Sequence, residues 1–240
     1  MIKKIWIPAV ILFVTLTIIA LDGVRIQSAS NSQLSNSAAM PRNYIIDAGH
    51  GGADGGAVAG DVIESDINLD VALKLDSLMA LFGYQTVMTR DTPDIDYPDD
   101  ATTLRKMKNA DSRARRALIQ STPNAVLISI HQNKYKSPKA NGTRVFYAVY
   151  DGSKNFADRV TTTLNQAISA QKTYTSMPID KDIYLMKQTN CPAILVECGF
   201  ISNPTERELL QTSEYQIKIA AGIMSGVTTA DAPDNISETT

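Results

Sequence analysis

The sequence predicts an α/β domain in which helices flank a mostly parallel central sheet. Three observations carry that expectation. Short apolar runs of strand length recur at residues 44–47, 84–89, 125–130 and 193–196. Stretches with apolar residues at helical spacing lie between them, and strands alternating with helices of that length build parallel sheets. The chain has 240 residues, 44% of them apolar, which is enough for one good-sized core, so one domain with tails is expected.

The N-terminus stands apart from that domain. Lys3 and Lys4 precede an uncharged run of 17 residues, Ile5 to Leu21, which Asp22 and Arg25 close. The run is slightly long for the apolar part of a signal peptide and slightly short for the roughly 20 residues of a spanning helix. Residues 1–25 are therefore expected to form a membrane-targeting signal-anchor. A cleaved signal peptide is the alternative, with Ser28-Ala29-Ser30 as a weak cleavage site. The basic flank stays in the cytoplasm in either case, so the remainder faces outside, membrane-anchored or secreted. Residues 26–42 are rich in Ser, Asn, Gln and Ala without periodicity and read as a flexible linker. Residues 229–240 are polar and read as a disordered tail, which leaves 43–228 for the folded domain.

Inside the domain the elements follow one another as α/β order requires. The first strand, 44–47, opens onto a glycine-rich loop at 49–60. Ser65 is placed to cap a helix carrying Ile67, Val71, Leu75, Leu78 and Phe82 on one face, and Gly83 is placed to end it. A second strand at 84–89 leads into an acidic, proline-containing loop at 91–100, and a basic amphipathic helix follows at 103–120. The third strand is 125–130. Asn141-Gly142 signals a turn before a strand at 143–150, and a helix covers 153–170. After the strand at 193–196, Asn203-Pro204 with Glu206 reads as an N-cap, an N1 proline and a capping-box glutamate for another helix.

The chain has only two histidines, and both close an apolar run: Asn43-Tyr-Ile-Ile-Asp-Ala-Gly-His50 and Ala125-Val-Leu-Ile-Ser-Ile-His131. A third run, Ala193-Ile-Leu-Val-Glu197, closes on a carboxylate. In open α/β folds ligands bind beyond the carboxyl ends of the strands, so these three groups are expected along one sheet edge. Two imidazoles and carboxylates there predict a metal-hydrolase site, with zinc as the expected ion. Hydrolytic zinc takes three protein ligands and keeps a position open for water. With no further histidine, Glu64 is the best third ligand, since Gly49, Gly51 and Gly52 let the nearby backbone fold tightly around an ion. Glu197, behind four apolar residues, is expected to have a raised pKa suited to a general base or acid.

Other chemistries are disfavoured. Gly49-His-Gly51-Gly-Ala-Asp54 departs from a dinucleotide fingerprint at its sixth position, and no phosphate loop, nucleophile elbow or His-Glu-x-x-His helix is present. The net charge of −2, without a long Lys/Arg run, argues against nucleic acid. Cys191 and Cys198 lie on one extended segment, on the order of 20 Å apart at strand rise. A disulfide needs less than about 7 Å between Cα atoms, so both are expected as free, buried thiols.

The motifs occur in a telling order: Ile46-Asp-Ala-Gly-His50-Gly-Gly-Ala-Asp54-Gly-Gly, Glu64-Ser-Asp-Ile-Asn-Leu, Met88-Thr-Arg-Asp91, Ser129-Ile-His131-Gln-Asn133 and Val196-Glu197-Cys-Gly-Phe-Ile-Ser-Asn203. Over residues 43–227 this resembles the zinc-dependent N-acetylmuramoyl-L-alanine amidases of the amidase-3 type. The resemblance implies hydrolysis of the amide between the lactyl group of muramic acid and L-alanine in peptidoglycan. It implies His50, Glu64 and His131 as zinc ligands and Glu197 as the catalytic glutamate. Asn133, with backbone amides of the glycine loop, is a candidate substrate contact. Ala48 stands where proline is common, and Lys134 where a small residue is usual, which suggests a more basic cleft rim.

A membrane-targeting segment, a short linker and one bare catalytic domain resemble the spore-cortex, germination-specific amidases. Ile183-Tyr-Leu-Met-Lys-Gln and the acidic-then-basic stretch 94–116 do so too. In that group, acting between the forespore membranes, removal of stem peptides lets muramic-δ-lactam form and marks the cortex for germination enzymes. A vegetative-wall amidase, a carboxypeptidase or sugar deacetylase with the same metal, and a non-catalytic wall-binding module are the alternatives. The intact His/Glu/His/Glu set argues against the last. A bare domain also suggests an activating or localising protein partner. The basic helix, with Arg105, Lys106, Lys108, Arg113, Arg115 and Arg116, could dock such a partner or the anionic wall, but reads first as a solvated basic face.

Overall fold

A computed structural model describes residues 42–168, 173–179, 183–187 and 189–231. The expected signal-anchor, all but the last residue of the expected linker at 26–42, and residues 232–240 lie outside the described residues.

The sheet is built where the apolar runs fall. Strands β1 (Asn43–Ala48), β4 (Gln85–Met88), β5 (Ala125–Asn133) and β8 (Ala193–Phe200) are parallel, while β6 (Arg144–Tyr147) runs antiparallel to β8 and pairs in parallel with β7 (Met177–Pro178). The order across the sheet is β4-β1-β5-β8-β6-β7, and a separate hairpin joins β2 (Val58–Ala59) to β3 (Val62–Ile63). The expected α/β class with a mostly parallel sheet is thus observed.

Side chains alternate across the strands and divide the sheet into two faces. Ile46, Ile128, Ile130, Ile194 and Val196 point into the larger core. There they meet helices α1 (Glu64–Leu81), α3 (Ser153–Ala167) and α6 (Ser213–Asp231), which bring Leu75, Leu164 and Ile223 among others. Ile45, Leu127, Ala193 and Leu195 point the other way. They form a smaller cluster with Ile119 of α2 (Leu104–Ser121) and Met186 of α4 (Tyr184–Lys187). Asp47, Ser129, His131 and Glu197 continue this odd-numbered series, so the polar groups of the site share the face under α2.

Several ends differ from the sequence reading for physical reasons. Helix α1 starts at Glu64, not after a Ser65 cap: its first amides are taken by Gly55 O and Ala57 O, so the hairpin region supplies the cap. Gly83 does end it, at φ +81°, the left-handed residue that closes a helix. Asn203 caps α5 (Pro204–Leu210), accepting from the amides of Thr205 and Glu206. Glu206 does not close the capping box. It is buried and accepts instead from Gly142 N at 2.7 Å and Phe200 N at 2.8 Å, tying the turn before β6 to the end of β8. Helix α6 extends through residues 229–231, into the stretch read as tail. Cys191 and Cys198 are free and buried, as expected. Among the described residues no helix is long and apolar enough to cross a membrane.

Candidate metal centre

Parallel register sets the first pair of groups. His131 lies opposite Glu197 on β8, on the same face. The register of β5 against β8 then shifts between His131 and Asn133. His50 comes from the loop leaving β1 and has φ +59°, a left-handed conformation that turns its ring back over the strand ends. Glu64 enters from the first residue of α1. The four residues thus reach one place from four separate segments.

His50 Nε2 lies 3.4 Å and His131 Nδ1 3.1 Å from Glu64 Oε1, and the two rings stand edge to face with centroids 5.0 Å apart. One ligand atom from each of the three lies within 4.8 Å of the others, a grouping that could hold a metal ion. Glycine makes this closeness possible. A Cβ at Gly49 would lie 2.4 Å from His131 Cε1 and Nε2, and one at Gly56 would lie 2.6 Å from Glu64 Oε2. Gly56 is a requirement the sequence reading did not single out.

A shell of hydrogen bonds aims the three groups. Asp54 Oδ2 lies 2.8 Å from His50 Nδ1 and 3.0 Å from Lys108 Nζ, which leaves His50 Nε2 facing the site. Glu64 Oε1 accepts from Gln132 N and Asn68 Nδ2, and Oε2 from Ala57 N at 2.8 Å. Asn68 Nδ2 also reaches Gly49 O at 3.0 Å. Below, Asp47 accepts from Ser129 Oγ and from Arg115 Nη1 at 2.7 Å. Burial would raise the Asp47 pKa, but Arg115 and Ser129 outweigh it and hold it at about 2.

The protonation pattern follows from crowding. Burial disfavours the His50 imidazolium, yet Glu64 and Asp54 overcome that and lift its pKa to about 9. Burial would raise the Glu64 carboxyl, but the two imidazoles drive it far down. Glu197 behaves oppositely: burial, with smaller opposing effects from the histidines, pushes it up to about 7. Its Oε2 is shut off from solvent without a hydrogen-bond partner among the described residues. This fits a carboxylate awaiting a proton or an ion, and a donor set of two nitrogens and one oxygen with an open side fits hydrolytic zinc.

A cleft of about 340 Å³ opens beside the histidines, walled by Asp54, by Lys108 and Ser112 of α2, and by Tyr184 and Met186 of α4. Asn133 stands outside the trio, its carbonyl accepting from Ile201 N. Lys134 turns its ammonium onto Val58 O at 2.7 Å. The basic helix is only partly a solvated face, since Arg115 is buried beneath the site and Lys108 pairs with Asp54.

The family profile described as N-acetylmuramoyl-L-alanine amidase matches residues 45–229. The chain belongs to the amidase-3 family. It is an N-acetylmuramoyl-L-alanine amidase, a class whose substrate is peptidoglycan. The germination-specific N-acetylmuramoyl-L-alanine amidase of Bacillus subtilis (strain 168) is 34% identical to this amidase over 183 residues, 76% of each chain. The CwlD amidase of Clostridioides difficile, solved in complex with the GerS lipoprotein, superposes with a TM-score of 0.75 at 34% identity, covering 78% of this chain and 97% of that one. The catalytic domain of CwlV from Bacillus (Paenibacillus) polymyxa superposes at 0.67 with 28% identity, covering 79% and 97%.

Proposed function

We propose that this amidase uses zinc held by His50, Glu64 and His131 to cleave the amide between muramic acid and L-alanine, with Glu197 as general base and acid. The observation that carries the reading is the convergence of His50 Nε2, Glu64 Oε1 and His131 Nδ1 beside Glu197, whose Oε2 is shut off from solvent without a hydrogen-bond partner among the described residues. Zinc, when bound, polarises a carbonyl and makes water acidic enough to attack near neutral pH. Ionised Glu197 takes a proton from the attacking water as its oxygen adds to the lactyl carbonyl. Glu197 then gives that proton to the alanine nitrogen as the C–N bond breaks. The products are a lactyl carboxylate on the glycan and a stem peptide with a free amine. Asn133, at the β5 end, is assigned to substrate orientation.

The likeness to germination-specific amidases supports a place in spore-cortex maturation, outside the cytoplasmic membrane. Residues 1–25 as membrane-targeting segment, 26–42 as linker and 43–228 as catalytic domain agree with that setting. The relative solved with a lipoprotein supports a protein partner for this chain too.

The test is incubation of the zinc-supplied protein with purified peptidoglycan and mass analysis of the soluble products. Free, full-length stem peptides are expected. Deacetylated sugars or shortened peptides would refute the bond assignment.

Gly49→Ala tests the geometry of the trio. The added methyl overlaps the His131 ring, so the ring must move. The expected result is a loss of about 1–3 kcal/mol in stability, together with a clear loss of zinc affinity. Thermal unfolding and chelator competition check the two.

A further inference from the structure

Two arginines meet behind the metal trio and touch it only at the backbone, through the His50 carbonyl. Arg90, just beyond β4, donates through Nε to Ala48 O at 3.0 Å and His50 O at 2.8 Å, and through Nη2 to Gly49 O and Ser65 O. Arg115, on α2, donates through Nη2 to His50 O at 2.7 Å and through Nη1 to Ala48 O and Asp47 Oδ1. Both are buried. The His50 carbonyl therefore accepts from two guanidinium groups. Bringing two like charges together in a buried place is unfavourable unless fixed acceptors surround them. Here the acceptors include the successive carbonyls of Ala48, Gly49 and His50 in one turn, and that turn carries His50, a non-glycine residue in the left-handed region. A left-handed conformation costs energy for a residue with a Cβ and persists where its surroundings over-determine it.

We propose that Arg90 and Arg115 are positioning residues, which hold the His50 carbonyl between them and so fix the turn that aims His50 Nε2 at Glu64 and His131. The proposal rests on the reading of the trio as a zinc site. The planar fork of arginine is the feature that matters. Lysine keeps the charge opposite Asp47 but cannot present parallel donors to several carbonyls at once. The His50 turn then relaxes, and its imidazole leaves the position shared with Glu64 and His131.

The test compares the full chain with Arg90→Lys, Arg115→Lys, Asp111→Asn and Leu164→Ala. Asp111 Oδ1 accepts from Arg115 Nε at 2.8 Å, so Asp111→Asn loosens Arg115 from outside the sheet and stands in if Arg115→Lys does not fold. Leu164, buried in the larger core, is the control for lost stability alone. Zinc affinity is read by competition with a chromophoric chelator, and ligand geometry by the visible absorption of the cobalt-substituted protein. Each lysine variant is expected to lose about 10- to 100-fold in zinc affinity and to shift the cobalt band. Asp111→Asn should change both less, and Leu164→Ala should lower the unfolding temperature while leaving both in place. Unchanged affinity and spectrum in the folded arginine variants would overturn the proposal, as would an equal loss in Leu164→Ala. Failure of the unaltered chain to bind zinc would overturn the metal reading itself, and the clamp with it.

Discussion

Glu197→Gln is expected to lower amide hydrolysis by about 10²- to 10⁴-fold, the usual contribution of a positioned general base and acid. Glutamine nearly matches glutamate in shape, and Glu197 Oε2 engages no donor among the described residues that the substitution would strand. Zinc affinity should therefore survive, and the loss should fall on the chemical step. The pH profile gives a second readout. A general base must be ionised to act, so kcat/KM rises with pH through the pKa of Glu197. Burial places that value at about 7 without metal, and a bound dication lowers it by its charge. The acid limb of the wild-type profile should thus lie below 7 and disappear in the glutamine variant. A variant within tenfold of wild type, with the limb intact, would remove Glu197 from the chemistry.

Glu64→Gln is expected to weaken zinc binding by more than about 100-fold, beyond what loss of a supporting hydrogen bond produces. The carboxylate lies between two imidazoles and also takes Gln132 N and Asn68 Nδ2 on one oxygen and Ala57 N on the other. Glutamine has a single acceptor oxygen, so its NH₂ must face donors on one side. Leaving a buried donor unpaired costs about 1–3 kcal/mol, so the metal-free protein should also melt earlier. His50 loses the neighbour that most raises its pKa and should titrate lower. Chelator competition and thermal unfolding in excess chelator separate the effects. Zinc affinity within tenfold of wild type would exclude Glu64 as a ligand.

The strands, and the His50, His131 and Glu197 that close them, were legible because parallel strands buried on both faces read as continuous apolar runs, and a His or Glu closing such a run stands out. Glu64, at a helix start, has no such signal of its own. Asp47 and Ser129 were a signal left unused: polar residues inside buried strands need partners, and a buried carboxylate calls for a cation. That cation, Arg115, is 68 residues from Asp47, so no local pattern joins them. The basic helix hid it among solvated neighbours. Ser65 and Glu206 misled for a related reason. Each fits a local capping rule, but distant backbone groups satisfy the helix ends or claim the carboxylate. β7 and α4 are too short for periodicity to register.

The odd–even division of the sheet separates two kinds of evolutionary pressure. On β1, β5 and β8 even positions such as Ile46, Ile128 and Val196 belong to the larger core under the helices, while the odd residues Asp47, Ser129, His131 and Leu195 line the cleft. Selection of this amidase for heat tolerance should therefore gather substitutions at residues such as Ile46, Ile128 and Val196. Selection for an altered scissile bond should gather them one residue away, on the same three strands.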